Sequence, residues 1–224
     1  MGMEGLETTT PPSPPLDLPC RFGRYRLTKL LATGGMAQIY LAKAFGAEGF
    51  VKPLVIKRLD PRLADRARFT ALFINEAKLL VTLNHGNIVP VFDFGRVGDD
   101  LFMAMEFIPG PSLRRVLEAL AERGAALEPQ LCAHVAAEIC KGLDYAHRKT
   151  DEGGRPTGII HRDIKPTNVL IDEPGNAFLT DFGIAKLVAG TAQFTATGTI
   201  VGTPAYMSPE QCMGQTLDHR SDIY

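Results

Sequence analysis

The sequence predicts an α+β fold in two lobes, a small antiparallel β lobe followed by a mainly helical large lobe. Three observations carry this. Alternating strand patterns around a glycine-containing turn occupy the first half, helical apolar stripes occupy the second, and Pro109-Gly110 punctuates the chain between them. The 224 residues, 45% of them apolar, suffice for two small lobes with a real core. With 24 Lys and Arg against 25 Asp and Glu, the net charge of -1 gives no general attraction to nucleic acid or an anionic membrane. Any affinity for phosphate must be local.

Residues 1–20 carry Thr8-Thr9-Thr10-Pro11-Pro12-Ser13-Pro14-Pro15 and read as a disordered, proline-rich lead-in, with structure expected from near Phe22. The small lobe spans 21–109. Tyr25 to Leu30 alternates as a strand, runs into the turn Leu31-Ala32-Thr33-Gly34-Gly35-Met36-Ala37, and returns as Gln38-Ile39-Tyr40-Leu41-Ala42. Leu54 to Leu59 is an apolar strand carrying Lys57. Arg66 to Leu83 shows helical spacing through Phe69, Leu72, Phe73, Leu79 or Leu80, and Leu83, with Glu76 in its middle. Ile88 to Phe94 and Leu101 to Glu106 are two further strands.

The large lobe occupies 110–224. Ser112 is placed to cap a helix from Leu113 to Arg123, and a longer helix after Pro129 has the core stripe Leu131, Val135, Ile139, Leu143 and Ala146. Asp151 to Pro156 is a polar turn. Gly183 to Pro209, with Thr191, Thr195, Thr197, Thr199 and Thr203, is too long for a plain connector and reads as a control element beside a site. Cys20, Cys132, Cys140 and Cys212 lack zinc-ligand spacing and read as reduced, mostly buried thiols of a cytoplasmic protein. No run approaches the roughly 20 apolar residues of a membrane span.

The chemistry concentrates in Ile159-Ile160-His161-Arg162-Asp163-Ile164-Lys165-Pro166-Thr167-Asn168-Val169-Leu170-Ile171. An acid, a lysine and an amide stand at i, i+2 and i+5 of one loop, between two apolar runs that read as flanking strands, upstream of Asp181-Phe182-Gly183. Asp163 can accept a proton from a hydroxyl, Lys165 can balance charge on a moving phosphoryl group, and Asn168 with Asp181 offers hard oxygens for magnesium.

These residues resemble the catalytic loop and the metal-binding Asp-Phe-Gly of the eukaryotic-like serine/threonine protein kinases, bacterial type. The resemblance covers Phe22 to Tyr224. It implies ATP and Mg2+ as cofactors, Asp163, Lys165 and Asn168 as catalytic residues, and Asn168 and Asp181 as metal ligands. Lys57 would hold the α- and β-phosphates, oriented by Glu76. Leu31, Gly34, Gly35, Ile39, Val55 and Leu170 would line the nucleotide pocket, Met105 would guard its back, and Glu106 to Ile108 would form the adenine hinge. The family loop usually has three glycines; Ala32 and Ala37 replace the first and third, which predicts weaker nucleotide binding or a stiffer loop.

Lys165 and Gly202-Thr203-Pro204 resemble serine/threonine rather than tyrosine kinases, and Ser208-Pro209-Glu210 matches the peptide-platform box with serine for alanine. Arg162 would sense a phosphorylated threonine, Thr195 or Thr197, placed there by autophosphorylation in a second copy of the kinase. Asp218 to Tyr224 resembles the start of a long central helix, with Asp222 bracing the catalytic loop. The resemblance also implies an incomplete large lobe, a catalytic domain truncated within it, weakly active or inactive alone. Expected partners are proteins with Ser or Thr acceptors, and no nucleic acid. The alternatives are a pseudokinase or scaffold that binds nucleotide without efficient transfer, motivated by the altered glycine loop, and a small-molecule phosphotransferase.

Overall fold

Alternation between apolar and polar side chains builds the first lobe. β1 (Cys20–Phe22), β2 (Tyr25–Thr33), β3 (Ala37–Phe45), β4 (Val51–Leu59), β5 (Val91–Val97) and β6 (Asp100–Glu106) form one antiparallel sheet in the order β1-β2-β3-β4-β6-β5. The computed structural model describes residues 14–34, 37–60, 67–182 and 204–224, with 67–69, 72, 76 and 204 described without their side chains. Register shifts between Leu27 and Lys29 and between Leu30 and Ala32 put bulges in β2, which bend the hairpin that ends at Gly34.

The sheet is apolar on both faces. On the inner face Val55, Met103 and Met105 pack against Phe73, Ala77 and Leu80 of α1 (Ala67–Leu80), and the same core runs through Ile88 and Val89 into the second lobe. On the outer face Leu27, Tyr40, Ile56 and Phe102 form a second core, overlaid by Leu16, Leu18 and Cys20. Phe22 meets Phe102 edge to face, ring centroids 5.4 Å apart. Beneath this cover, the Tyr40 hydroxyl donates to Gln38 Oε1 at 2.7 Å and accepts from the Leu16 amide at 3.1 Å. The ordered chain thus enters before Phe22: the apolar residues Leu16 and Leu18, spaced by two, dock on the sheet despite the prolines preceding them.

β5 begins three residues later than the sequence suggests. Pro90 has no amide to give a ladder, and Ile88 and Val89 turn instead toward the second lobe, where the Val89 amide donates to Leu179 O at 2.9 Å.

After the Pro109-Gly110 connector, Ser112 caps α2 (Leu113–Glu122) by accepting from the Arg115 amide at 3.4 Å. α3 (Pro129–His147) buries Leu143 and Ala146 fully, whereas Val135 and Ile139 are half-buried and Leu131 is 49% exposed. The expected stripe is therefore core only in its last turns, which pack on β8 (Ala177–Leu179), since no other described element covers its start. Cys132, Cys140 and Cys212 are free and exposed and Cys20 is half-buried, so the expectation of mostly buried thiols fails; no described element packs over the side of α3 that holds two of them. Ile159 and Ile160 are unpaired rather than a strand, and only the second apolar run forms one, β7 (Val169–Ile171), antiparallel to β8. The closing residues form the short α4 (Pro209–Cys212) and a 3-10 turn His219–Asp222, where the start of a long helix was expected. Gly183, Thr191, Thr195, Thr197, Thr199 and Thr203 lie outside the described residues.

The connector is tight. A Cβ at Gly110 would stand 1.9 Å from the backbone oxygen of Ile171, whereas one at Gly142 on α3 would stand 3.1 Å from Asn87 O. Gly110→Ala is therefore expected to destabilise the fold by on the order of 2 kcal/mol or more, and Gly142→Ala by less. Urea unfolding of the two variants checks this ranking.

Candidate active site

Lys57 lies in the middle of β4, opposite Ile39 on β3 and Met103 on β6. Its ammonium meets Asp181 Oδ1 at 2.8 Å, with the lysine side chain 16% and the aspartate side chain 40% exposed. The Lys57 charge holds the Asp181 carboxyl below the usual carboxylate range, outweighing the opposing effect of burial. Asp181 has a left-handed φ of 58°, which turns the chain out of β8 toward that lysine. The Glu76 side chain lies outside the described residues, as does Gly35.

A second cluster forms on the loop between Ile160 and β7. Lys165 Nζ approaches Asp163 Oδ2 at 2.9 Å, and Asn168 Nδ2 donates both to Asp163 O at 2.9 Å and to Asp163 Oδ2 at 3.0 Å. The 3-10 turn Pro166–Asn168 makes this possible by folding i+5 back onto i. Thr180, adjacent to Asp181, ties the clusters together: its amide donates to Asn168 O at 3.0 Å, and its carbonyl faces His161 Nε2 at 3.2 Å.

His161 is fully buried, with its ring tilted 35° against the Phe182 ring at 4.4 Å between centroids. Burial pushes its pKa down, against the pull of Asp222 and Asp163. The neutral ring with its proton on Nε2 fits both neighbours, donating to Thr180 O while Nδ1 accepts from the Asp163 amide at 3.3 Å.

The loop backbone is held from below. Asp222, 5% exposed, accepts from the amides of His161 and Arg162 at 2.7 Å each and lies 2.7 Å from His147 Nε2. This is the bracing expected of it. Arg162 has a left-handed φ of 67°. Its guanidinium pKa is lowered by burial, opposed by Asp222, and its Nε has no partner among the described residues.

Around the clusters, Val55 and Met105 are buried opposite each other in the β4–β6 register, Ile108 is buried, Ile39 and Leu170 are half-buried, and Leu31 stays exposed at the rim. A small cavity behind Met105 is lined by Lys57, Leu80, Met103, Asp181 and Phe182. The Gly34 amide closes on Ala37 O at 2.9 Å. The Glu106 side chain turns away to Lys52 at 2.7 Å, leaving only its backbone for the cleft. Lys52 was not singled out from sequence, and neither was Gln211, whose Nε2 donates to Arg162 O at 2.8 Å. The Ser-x-x-Gln spacing of a capping box at Ser208 was a legible signal for the latter.

Among the described residues no group of three or more His, Cys, Asp or Glu side chains converges as a metal cluster. Asn168 and Asp181 instead offer an amide oxygen and a carboxylate. Such a sparse oxygen set suits a magnesium-like cation that completes its shell with phosphate oxygens and water.

A model of the protein kinase domain matches residues 25–224. The chain is 36% identical over 203 residues to the tyrosine-protein kinase MasK of Myxococcus xanthus, covering 91% of this chain and 31% of that protein. It is 37% identical over 210 residues to the serine/threonine-protein kinase PknL of Mycobacterium tuberculosis, covering 94% of this chain and 49% of that protein. The crystal structure of the Mycobacterium tuberculosis PknI kinase domain matches with a TM-score of 0.66 at 27% identity, covering 93% of this chain and 73% of that one. The chain thus spans between about a third and a half of the length of these curated relatives.

Protonating His161 would set an N–H on Nδ1 against the Asp163 N–H. Because the folded pKa lies below the unfolded value of about 6.5, the stabilisation is complete above that pH and is lost as pH falls through the lowered folded value. The thermal midpoint is expected to drop on acidification below about pH 6.5, and His161→Phe is expected to flatten that slope. Calorimetry of both proteins across this range checks it.

Proposed function

The chain belongs to the protein kinase domain family, and on that premise we propose that it transfers the γ-phosphate of ATP to serine and threonine hydroxyls of proteins. The observation that carries this reading is the Asp163, Lys165 and Asn168 cluster tied through Thr180 to the Lys57–Asp181 pair. Phosphoryl transfer needs little covalent help and much positioning and charge. Asn168 and Asp181 would supply the protein oxygens to a magnesium ion bound with ATP, which would neutralise phosphate charge, and Lys57 would hold the α- and β-phosphates. Asp163 orients the acceptor hydroxyl and takes its proton, while Lys165, already 2.9 Å away, balances charge on the phosphoryl oxygens.

In this reading residues 21–109 bind nucleotide, with Leu31, Gly34, Gly35, Ile39, Val55, Met105, Glu106, Ile108 and Leu170 around it and Glu76 orienting Lys57, and 110–224 carry the catalytic loop and the segment that controls it. Arg162 Nε, without a partner among the described residues, supports a role in pairing with a phosphothreonine at 195 or 197, formed by trans-autophosphorylation by a second copy of the kinase. No helix among the described residues is long and apolar enough to cross a membrane, and a cytoplasmic setting, where ATP is available, fits the chemistry.

One relative bears the name of a tyrosine kinase, so the acceptor class needs its own measurement. Phosphoamino-acid analysis after transfer from labelled ATP is expected to give phosphoserine and phosphothreonine; phosphotyrosine alone would sink the acceptor assignment. Asp163→Asn is expected to lower transfer by about 100-fold or more with ATP affinity kept. ATP binding without transfer by the unaltered protein would support the scaffold reading instead.

A further inference from the structure

The peptide unit joining Arg162 to Asp163 is pinned at both of its polar ends. Its N–H, on Asp163, donates to His161 Nδ1 at 3.3 Å, and its oxygen, on Arg162, accepts from Gln211 Nε2 at 2.8 Å. That oxygen bond crosses from the short helix α4 to the catalytic loop, 49 residues away in sequence. Gln211 uses both ends of its side-chain amide. Oε1 accepts from the Ser208 amide at 2.9 Å, and the Gln211 backbone amide returns a bond to Ser208 Oγ at 3.3 Å, so the side chain cannot swing without undoing the cap.

The connection closes into a ring. Beside Gln211, Glu210 accepts a hydrogen bond from the Ser221 hydroxyl; beside Ser221, Asp222 accepts from the Arg162 amide at 2.7 Å. Catalytic loop, α4 and the His219–Asp222 turn are therefore linked through two pairs of adjacent residues, and Arg162 is held at its N–H by one pair and at its C=O by the other. A residue with φ of 67° outside glycine is held in a sparsely populated conformation and persists only when its surroundings fix it.

We propose that Gln211 is a positioning residue for phosphoryl transfer, fixing the Arg162–Asp163 peptide plane so that Asp163 stays aligned with acceptor segments laid against α4. The proposal rests on the kinase reading and adds to it a mechanical coupling: displacement of α4 is transmitted to the base through one amide. The Gln211 amide is bonded to Ser208 and Arg162 rather than to the residues of the nucleotide cleft, so its removal acts on Asp163 orientation.

Two variants in the full chain test this. Gln211→Glu keeps an oxygen for the Ser208 amide and removes the N–H given to Arg162, whereas Gln211→Met removes both without adding charge. In each, kcat for an acceptor peptide is expected to fall roughly tenfold with KM for ATP unchanged. Hydrogen exchange at the Asp163 amide is expected to quicken in both. The proposal is overturned if kcat holds within twofold, if only the charged variant is slow, or if ATP affinity and the unfolding midpoint fall in step with kcat. Should the unaltered protein transfer no phosphate, the kinase reading fails on that result, and exchange at Asp163 still decides the coupling: unchanged exchange in both variants rejects it.

Discussion

The carboxylate of Asp222 accepts two consecutive backbone amides, from His161 and Arg162, and meets His147 from α3. Burying a charge costs several kcal/mol unless other groups replace the water it loses, and these donors replace it. The exchange is mutual. Two amides that belong to no helix or strand would otherwise be orphaned inside the protein, and the backbone that bears them carries the left-handed Arg162. Everything downstream on the loop inherits that placement, because Asp163 follows directly and the turn to Asn168 begins there.

Charge at the site is balanced locally rather than globally. Each of the two carboxylates already has a lysine against it, Asp181 with Lys57 and Asp163 with Lys165, both at under 3 Å. The Lys57 charge holds the Asp181 carboxyl below the usual carboxylate range, and both pairs are oriented before any ligand enters, as electrostatic preorganisation requires. The chain's formal charge of -1 carries no trace of this.

The sheet lobe was largely legible because strand alternation and glycine turns act over a few residues: Lys57 on its strand, the hairpin at Gly34 and the Ser112 cap all stand where local chemistry puts them. The Asp163, Lys165 and Asn168 cluster was legible because its residues lie within one loop, and Asp181 because it opens an Asp-Phe-Gly run. Other features depended on partners distant in sequence. Leu16 and Leu18 looked like part of a polar tail until the apolar outer face of the sheet gave them a surface, and Pro90 moved the start of β5 by handing Ile88 and Val89 to the second lobe. The α3 stripe illustrates the converse. Periodicity shows which side of a helix is apolar, and only the neighbouring elements decide whether Leu131 is covered. Gln211 escaped notice because its cap is a local signal while its bond to Arg162 is not.

The double cover of the sheet has a mechanical consequence. A β-sheet apolar on one side can flex by sliding over its single layer, but this one is clamped between α1 and the Leu16–Cys20 strap, with Phe22, Tyr25 and Phe102 interlocked on the outside. Bending is directed to its margin at the exposed Pro109-Gly110 joint. Since Gly110 lies against Ile171 with no space for a methyl group, that joint works as a pivot of fixed radius: the small lobe can rotate about it as a stiff lever but has little freedom to lift away.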